Sequence, residues 1–344
     1  MRLKLLNKFK IHKSSIYAVV MNKEGKKLFE RKLKNHPHEV DKLLANLEPK
    51  NTSIALEACS VWQYLYDYLH ESGYYDLSLT NPLQVRLIAN SRKKTDKHDA
   101  KVLADLLRTN MLPKSYAAPK DVREQRQITR HRASLVRLRT EIKNKIHAIL
   151  LRHGIEHEYS DVFGAKGTEY LRSLDLPMCD RFELDSYLDI IENINAQVKD
   201  TNERIEDYVD QHPHARLIMS MPGIDYYSAL MICGEIGDVH RFPHVKKLVS
   251  FAGLNPSVYQ SGNTLRQGHI SKQGNRNLRW ILVQCAHVAI MHDPYMAKFY
   301  RRLKKTKHHN VALVAVARKM LERVYTMMKL NLPYHVLQVN RKAS

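Results

Sequence analysis

I-Y-A-V-V-M-N-K-E-G-K-K-L-F-E-R-K-L, residues Ile16 to Leu33, decides the fold of the N-terminal part of this 344-residue chain. Ile16 to Met21 and Lys27 to Leu33 are strand-like runs, and Asn22 to Gly25 supplies the turn between them. Downstream, S-I-A-L-E-A (Ser53 to Ala58) predicts a buried strand that runs into Glu57, and Leu77 to Leu79 predicts another short one. Helical patterns fall between or after these strands, at His38 to Leu47, Val61 to Ser72, Pro82 to Ala89 and Asp96 to Arg108. A hairpin followed by strand–helix alternation implies a mixed sheet covered by helices. Pro113 and Pro119 punctuate its end, which gives a first domain over residues 1–115.

The next region, residues 116–212, has a different pattern. Asp121 to His153 predicts one long helix with Ile128, Leu135, Leu138, Ile142 and Ile149 near heptad spacing. It carries nine bases against three acids, a net +6, whereas Asp180 to Asp210 predicts a second long helix with ten acids against three bases, a net −7. Opposite charges and a Gly-containing link suggest an antiparallel, coiled-coil-like arm. The arm can be a spacer, or its apolar seam can hold copies of the chain together.

Residues 213–344 form a helical and loop-rich C-terminal domain. M-P-G-I-D-Y-Y-S-A-L-M-I (Met221 to Ile232) has the Pro-Gly of a phosphate-binding helical hairpin, but Asp225 stands where a second Gly is expected, so a plain turn is predicted. Composition bounds the partner. Lys and Arg number 56 against 35 acids, a net charge of +21, which favours a polyanion. A membrane is not expected: the longest apolar run, Trp280 to Met291, is interrupted by Gln284 and His287. Asn7, Lys8 and Lys10 break any signal-peptide core, so a cytoplasmic location is expected. Cys59, Cys179, Cys233 and Cys285 lack C-x-x-C spacing and read as reduced thiols, neither zinc ligands nor a disulfide frame.

K-T-D-K-H-D-A, Lys94 to Ala100, puts Asp96 and Asp99 three apart at the start of a helix, on one face, flanked by Lys93, Lys94, Lys97 and Lys101. With Glu57 they form a carboxylate set suited to a divalent metal over a nucleic-acid phosphate; alone, such a pair is more often a solvated helix face. F-A-G-L-N-P-S-V-Y-Q-S-G (Phe251 to Gly262) and G-H-I-S-K-Q-G-N-R-N-L-R-W (Gly268 to Trp280) are the most specific segments. Together with E…K-T-D-x-x-D-A they resemble the transposases of the insertion-sequence 110 family, the group related to Piv-type DNA invertases.

The resemblance implies a RuvC-like, RNase H-fold N-terminal domain with a D-E-D-D tetrad, a helical arm, and a C-terminal domain with a nucleophilic Ser. Carried over, Glu57, Asp96 and Asp99 match the second to fourth acids as Mg²⁺ ligands, and Ser261 matches the nucleophile. The implied activity is DNA transposition or recombination through a phosphoserine intermediate. The implied partners are DNA, a structured bridge RNA whose pairing supplies sequence, and further copies of the chain in a dimer or tetramer. Lys272, Arg276 and Arg279 lie where a Gly274-Asn275 turn enters a helix; with Lys93 and Lys94 they are the expected nucleic-acid-binding residues. The basic run after Tyr300 reads as a helix face gripping backbone.

One position departs from the pattern. Relatives begin with a strand ending G-I-D-x-H-K, and here K-F-K-I-H-K (Lys8 to Lys13) puts Lys10 in place of the first Asp. A protonated Lys cannot ligate Mg²⁺ and competes with it for the remaining acids. The site then binds metal through three acids, or Lys10 replaces the metal's charge, or the chain is an inactive or repurposed RNA- and DNA-binding relative.

Overall fold

The computed structural model describes residues 5–11, 13–45, 47–88, 96–261 and 264–335; side chains at 5–11, 83, 86–87, 96–101, 258–261 and 264–267 are outside the description. The chain divides into two compact units, Met1–Ala117 and Ala118–Ser344.

The first unit is built on β1 (Leu5–Ile11), β2 (Ser15–Met21), β3 (Lys27–Lys34), β4 (Thr52–Glu57), β5 (Leu77–Thr80) and β6 (Lys114–Ser115), in the order β3-β2-β1-β4-β5-β6. β1, β2 and β3 form an antiparallel meander, β4 and β5 add on parallel to β1, and β6 closes antiparallel. The predicted hairpin is therefore present as β2 and β3. β3 is the outer strand, and its mostly exposed run K-L-F-E-R-K-L-K carries the charge that discourages edge-to-edge pairing.

Helices α1 (Pro37–Leu44), α2 (Trp62–Glu71), α3 (Pro82–Ile88) and α4 (Asp96–Arg108) cover the sheet. Ile16 and Ala18 of β2 and Ile54 and Leu56 of β4 pack with Val40 and Leu44 of α1 and Leu65 and Leu69 of α2. On the opposite face, Val19 and Met21 meet Ala104 of α4, and Ala55 meets Leu103. Coverage on both faces explains why β4 is apolar almost throughout instead of alternating with polar residues.

In the second unit, α5 (Lys120–Arg152), α6 (Ala165–Ser173) and α7 (Met178–Asp210) contain the predicted pair of long helices plus a short one within the link. α5 and α7 run antiparallel, as Arg132 bonds Asn202, Arg139 bonds Asn195, and Arg152 pairs with Asp180 at 2.5 Å. Their seam is filled from within the chain. Leu135 packs with Ile194 and Val198, and Ile146, Ile149 and Leu150 pack with Leu184, Leu188 and Ile191. Leu138, expected in that seam, is 45% exposed, while Leu135, Ile146 and Ile149 are buried.

The rest comprises α8 (Pro213–Ile218), α9 (Tyr226–Ile236), α10 (Val245–Phe251), the hairpin β7 (Pro256–Ser261) and β8 (Thr264–Ile270), α11 (Arg276–His292), α12 (Pro294–Lys304) and α13 (His309–Leu330). α9 is buried from Tyr227 to Ile236 and forms the centre, wrapped by α5, α7, α8 and α11. The apolar run at Trp280 to Met291 lies within α11, which buries Leu282, Cys285 and Ala289 in the same core. Among the described residues no helix is long and apolar enough to cross a membrane.

Candidate functional site

Glu57 is the last residue of β4, at the carboxyl end of its parallel pairing with β1 and β5. Side chains alternate along a strand. Since Ile54 and Leu56 face α1 and α2 while Ala55 faces α4, Glu57 belongs to the α4 face. Asp96 and Asp99 open α4, which packs on β1, β2 and β4; their side chains lie outside the described ones. Lys93 and Lys94 lie outside the described residues.

Opposite Glu57 in the β4–β5 register stands Thr80, fully buried, whose Oγ1 finds no hydrogen-bond partner. A buried hydroxyl without a partner, in ladder register with Glu57, is the kind of hard oxygen that suits the surroundings of a hydrated divalent cation. Among the described residues no cluster of three or more His, Cys, Asp or Glu could hold a metal, and that search does not reach the Asp96 and Asp99 carboxylates.

Lys10 lies in β1 with its side chain outside the described ones. It follows Phe9, the partner of Leu56, just as Glu57 follows Leu56. It also pairs across the antiparallel ladder with Tyr17, which packs against the α4-face cluster. The departure from the acidic pattern thus occupies the ladder position beside Glu57.

In the second unit, Ser261 ends β7 and pairs with Thr264 across residues 262 and 263; its side chain lies outside the described ones. Sequence reading missed this hairpin, although Gly262-Asn263 between two strand-compatible runs is a turn signal. The motifs on either side of it are locked together. The Asn275 amide donates to the Phe251 carbonyl at 2.7 Å, and the Ser271 amide to the Asn255 carbonyl at 2.7 Å. A Cβ on Gly274, at φ 142°, would sit 2.3 Å from the Phe251 oxygen, and one on Gly253, at φ 68°, would sit 2.6 Å from Arg279 Nη1. F-A-G-L and K-Q-G-N-R therefore need their glycines because the two backbones touch.

Arg279 donates through Nη1 to the Ala252 carbonyl at 2.9 Å, so this guanidinium braces the F-A-G-L turn. Burial, with the neighbouring charge of Arg276, lowers its pKa. Lys272 and Arg276 remain exposed beside it. Asp225, at the doubtful glycine position of the Met221–Ile232 segment, caps α9: its carboxylate accepts from the Ser228 amide at 2.8 Å while Ser228 Oγ accepts from the Asp225 amide. The predicted turn is what the chain builds there, with the Ile224 amide donating to the Met221 carbonyl at 3.2 Å.

A buried carboxylate that sequence reading also missed holds this region to the arm. Glu235 of α9 is fully buried and accepts from Arg130 Nε at 2.7 Å and Nη2 at 2.8 Å, from Asn275 Nδ2 at 2.7 Å and from Asn277 Nδ2 at 3.1 Å. Burial alone would raise its carboxyl; the hydrogen bonds of Arg130 and Asn275, the Arg130 charge and Asn277 outweigh that, and its pKa is lowered. Asn275 also caps α11 by accepting from the Leu278 amide at 2.9 Å. One carboxylate thereby sets the start of α11, where Arg276 and Arg279 emerge. The available signal was a lone charge within the apolar run L-M-I-C-G-E-I.

Two family models match the chain. A DEDD-type IS110 transposase model covers residues 11–155, starting one residue past Lys10 and spanning Glu57, Asp96 and Asp99. A model described as transposase IS116/IS110/IS902 family covers 215–301 and spans Ser261, Lys272, Arg276 and Arg279. Among individual proteins, the chain is 24% identical over 322 residues to the transposase for insertion sequence element IS1328 of Yersinia enterocolitica, covering 90% of this chain and 92% of that one. It is 25% identical to the transposase for insertion sequence element IS1111A of Coxiella burnetii, covering 88% and 84% respectively. The pilin gene-inverting protein of Moraxella bovis is 26% identical, with 76% of each chain covered. With its acid-bearing sheet, its braced hairpin and both matches in the same order, this chain belongs to the IS110/IS116/IS902 family of transposases.

Proposed function

We propose that the protein is a DNA transposase or recombinase that cuts and rejoins DNA through Ser261, guided by a bridge RNA, with Mg²⁺ held by Glu57, Asp96 and Asp99. The observation that carries this reading is the order of the two halves: a carboxylate at the end of a central strand in a DEDD-type match, then a serine-tipped hairpin in the transposase match. The meander β3-β2-β1 continued by parallel β4 and β5 supports the RuvC-like reading of the first unit. Bound magnesium supplies Lewis-acid polarisation of the scissile phosphate and neutralises charge that develops there. Ser261 Oγ attacks phosphorus: the Oγ–P bond forms, the bond from phosphorus to the departing sugar oxygen breaks, and the hydroxyl proton leaves for that oxygen. Attack by a sugar hydroxyl on the phosphoserine reverses the step and joins the new strand. Lys272 and Arg276 hold the flanking backbone, and Glu235 positions them through Asn275. The net charge of +21 supports two polyanionic partners, DNA and a structured RNA. We assign the working form to a dimer or tetramer in which the acids of one copy meet Ser261 of another.

A second reading is favoured by Lys10: an RNA- and DNA-binding relative that no longer cuts. Incubation with cognate DNA and Mg²⁺ separates the two. The recombinase gives a covalent protein–DNA adduct that Ser261→Ala and Glu57→Ala both abolish while DNA binding persists. Binding without any adduct supports the relic.

A further inference from the structure

The segment P-Y-M-A-K-F-Y-R-R-L-K forms α12, anchored by the buried Met296. Tyr295, Lys298, Phe299 and Arg302 recur at i, i+3, i+4 and i+7 and so share one face. With Arg301 and Lys305 they line a groove of about 540 Å³. Phe299 is partly buried, with the Arg302 guanidinium 5.4 Å from its ring centroid and the Lys319 ammonium 6.0 Å away. Arg323 stands 5.6 Å from the Tyr295 ring. Among the described residues, Lys298, Arg301, Arg302 and Lys305 make no ion pair with a carboxylate. Glu322, on the neighbouring α13, is already engaged by Arg318 at 3.2 Å and Lys319 at 2.9 Å.

Tyr295 and Phe299 pack in part against the C-terminal core, and the part of each that stays accessible lines the cationic groove, which a helix gripping duplex backbone alone does not require. Aromatic walls within a concave, uncompensated cationic rim are the chemistry of single-strand recognition, where bases stack and phosphates pair with Lys and Arg. We propose that the α12 groove binds a short run of unpaired nucleotides, with a base against Phe299 and Tyr295 and its flanking phosphates on Lys298, Arg301, Arg302 and Lys305. A paired duplex keeps its base faces stacked inside and cannot use the rings. The proposal rests on the reading of the chain as a protein that works on nucleic acid, and extends it to a single-strand site apart from Ser261.

The test is fluorescence anisotropy of the full-length protein with labelled thymidine and uridine homopolymers and a duplex of equal length. Phe299→Leu, which keeps apolar bulk and removes the π face, should weaken single-strand binding about 10-fold, and Phe299→Trp should restore it. Duplex affinity should hold to within about twofold, since no ring contact is made there. Loss on either homopolymer supports the groove and names the strand type. Equal loss on strand and duplex, or none on either homopolymer, overturns it. A parent protein that binds duplex but is indifferent to Phe299→Leu removes the groove alone. A parent that binds neither strand nor duplex removes the nucleic-acid reading itself.

Discussion

On the proposed mechanism, activity turns on Lys10. In the proposed site its ladder position beside Glu57 is the one where the family pattern has its first acid, and a carboxylate there would add a fourth ligand for Mg²⁺. Lys10→Asp is therefore expected to raise adduct yield in Mg²⁺, measured as the fraction of labelled DNA retained on denatured protein. A fall in yield would mean that the ammonium itself supplies the positive charge. Glu235 sets a different dependence. Because its folded pKa lies below the ordinary 4.5, its contribution to stability is present above that value and disappears as pH falls below it through the folded one. Arg130→Ala leaves a buried carboxylate with only part of its compensation. It should cost about 2–3 kcal/mol at neutral pH, less than a fully buried pair because Arg130 is itself half exposed. Burial then dominates, so the acid-side loss should begin at higher pH than in the parent; thermal melts across pH would show it. Parallel melting curves for the two proteins would rule out this role for Glu235.

Among the elements, the arm was the most legible in the sequence. Asp121 to His153 and Asp180 to Asp210 correspond to α5 and α7 to within a few residues, because long apolar periodicity and opposite charge persist over many turns. The details of its seam were not legible: Leu138 sits near heptad spacing and yet is exposed, since the partner surface is set by α7. Leu135→Asp should accordingly lower the melting temperature, whereas Leu138→Asp should leave it unchanged. An oligomer that dissociates on Leu135→Asp with no loss of stability would return the seam to a role between copies. β7 and β8 are hard to read from sequence because Val, Tyr and Thr are mixed with Pro, Gln, Ser, Arg, Gly and His without clean alternation, and their pairing is held by the F-A-G-L and K-Q-G-N-R backbones meeting beside them. β1 is equally polar and was indicated only by the resemblance. At the site, Glu57 was readable at the end of an apolar strand. Thr80 and Glu235 were not, since their significance comes from neighbours distant in sequence: Glu57 for one, Arg130 and Asn275 for the other.

For the whole molecule, charge is the organising quantity. The acidic arm segment carries −7, which leaves +28 over the other residues and suits two nucleic-acid partners at once. Binding to duplex DNA should weaken with salt along a log–log slope of about −5 or steeper, as for a protein neutralising six or more phosphates; filter binding over a salt series measures it, and a flat line would contradict the electrostatic account. The central claim is the covalent step. Its most direct measurement is mass spectrometry of proteolytic peptides after incubation with cognate DNA, Mg²⁺ and a nuclease to trim the strand. Strand transfer through Ser261 leaves a nucleotide phosphate on the peptide containing Ser261, absent from Ser261→Ala and from Glu57→Ala. DNA cleaved with Ser261 unmodified, or an adduct mapped to any other residue, would contradict it.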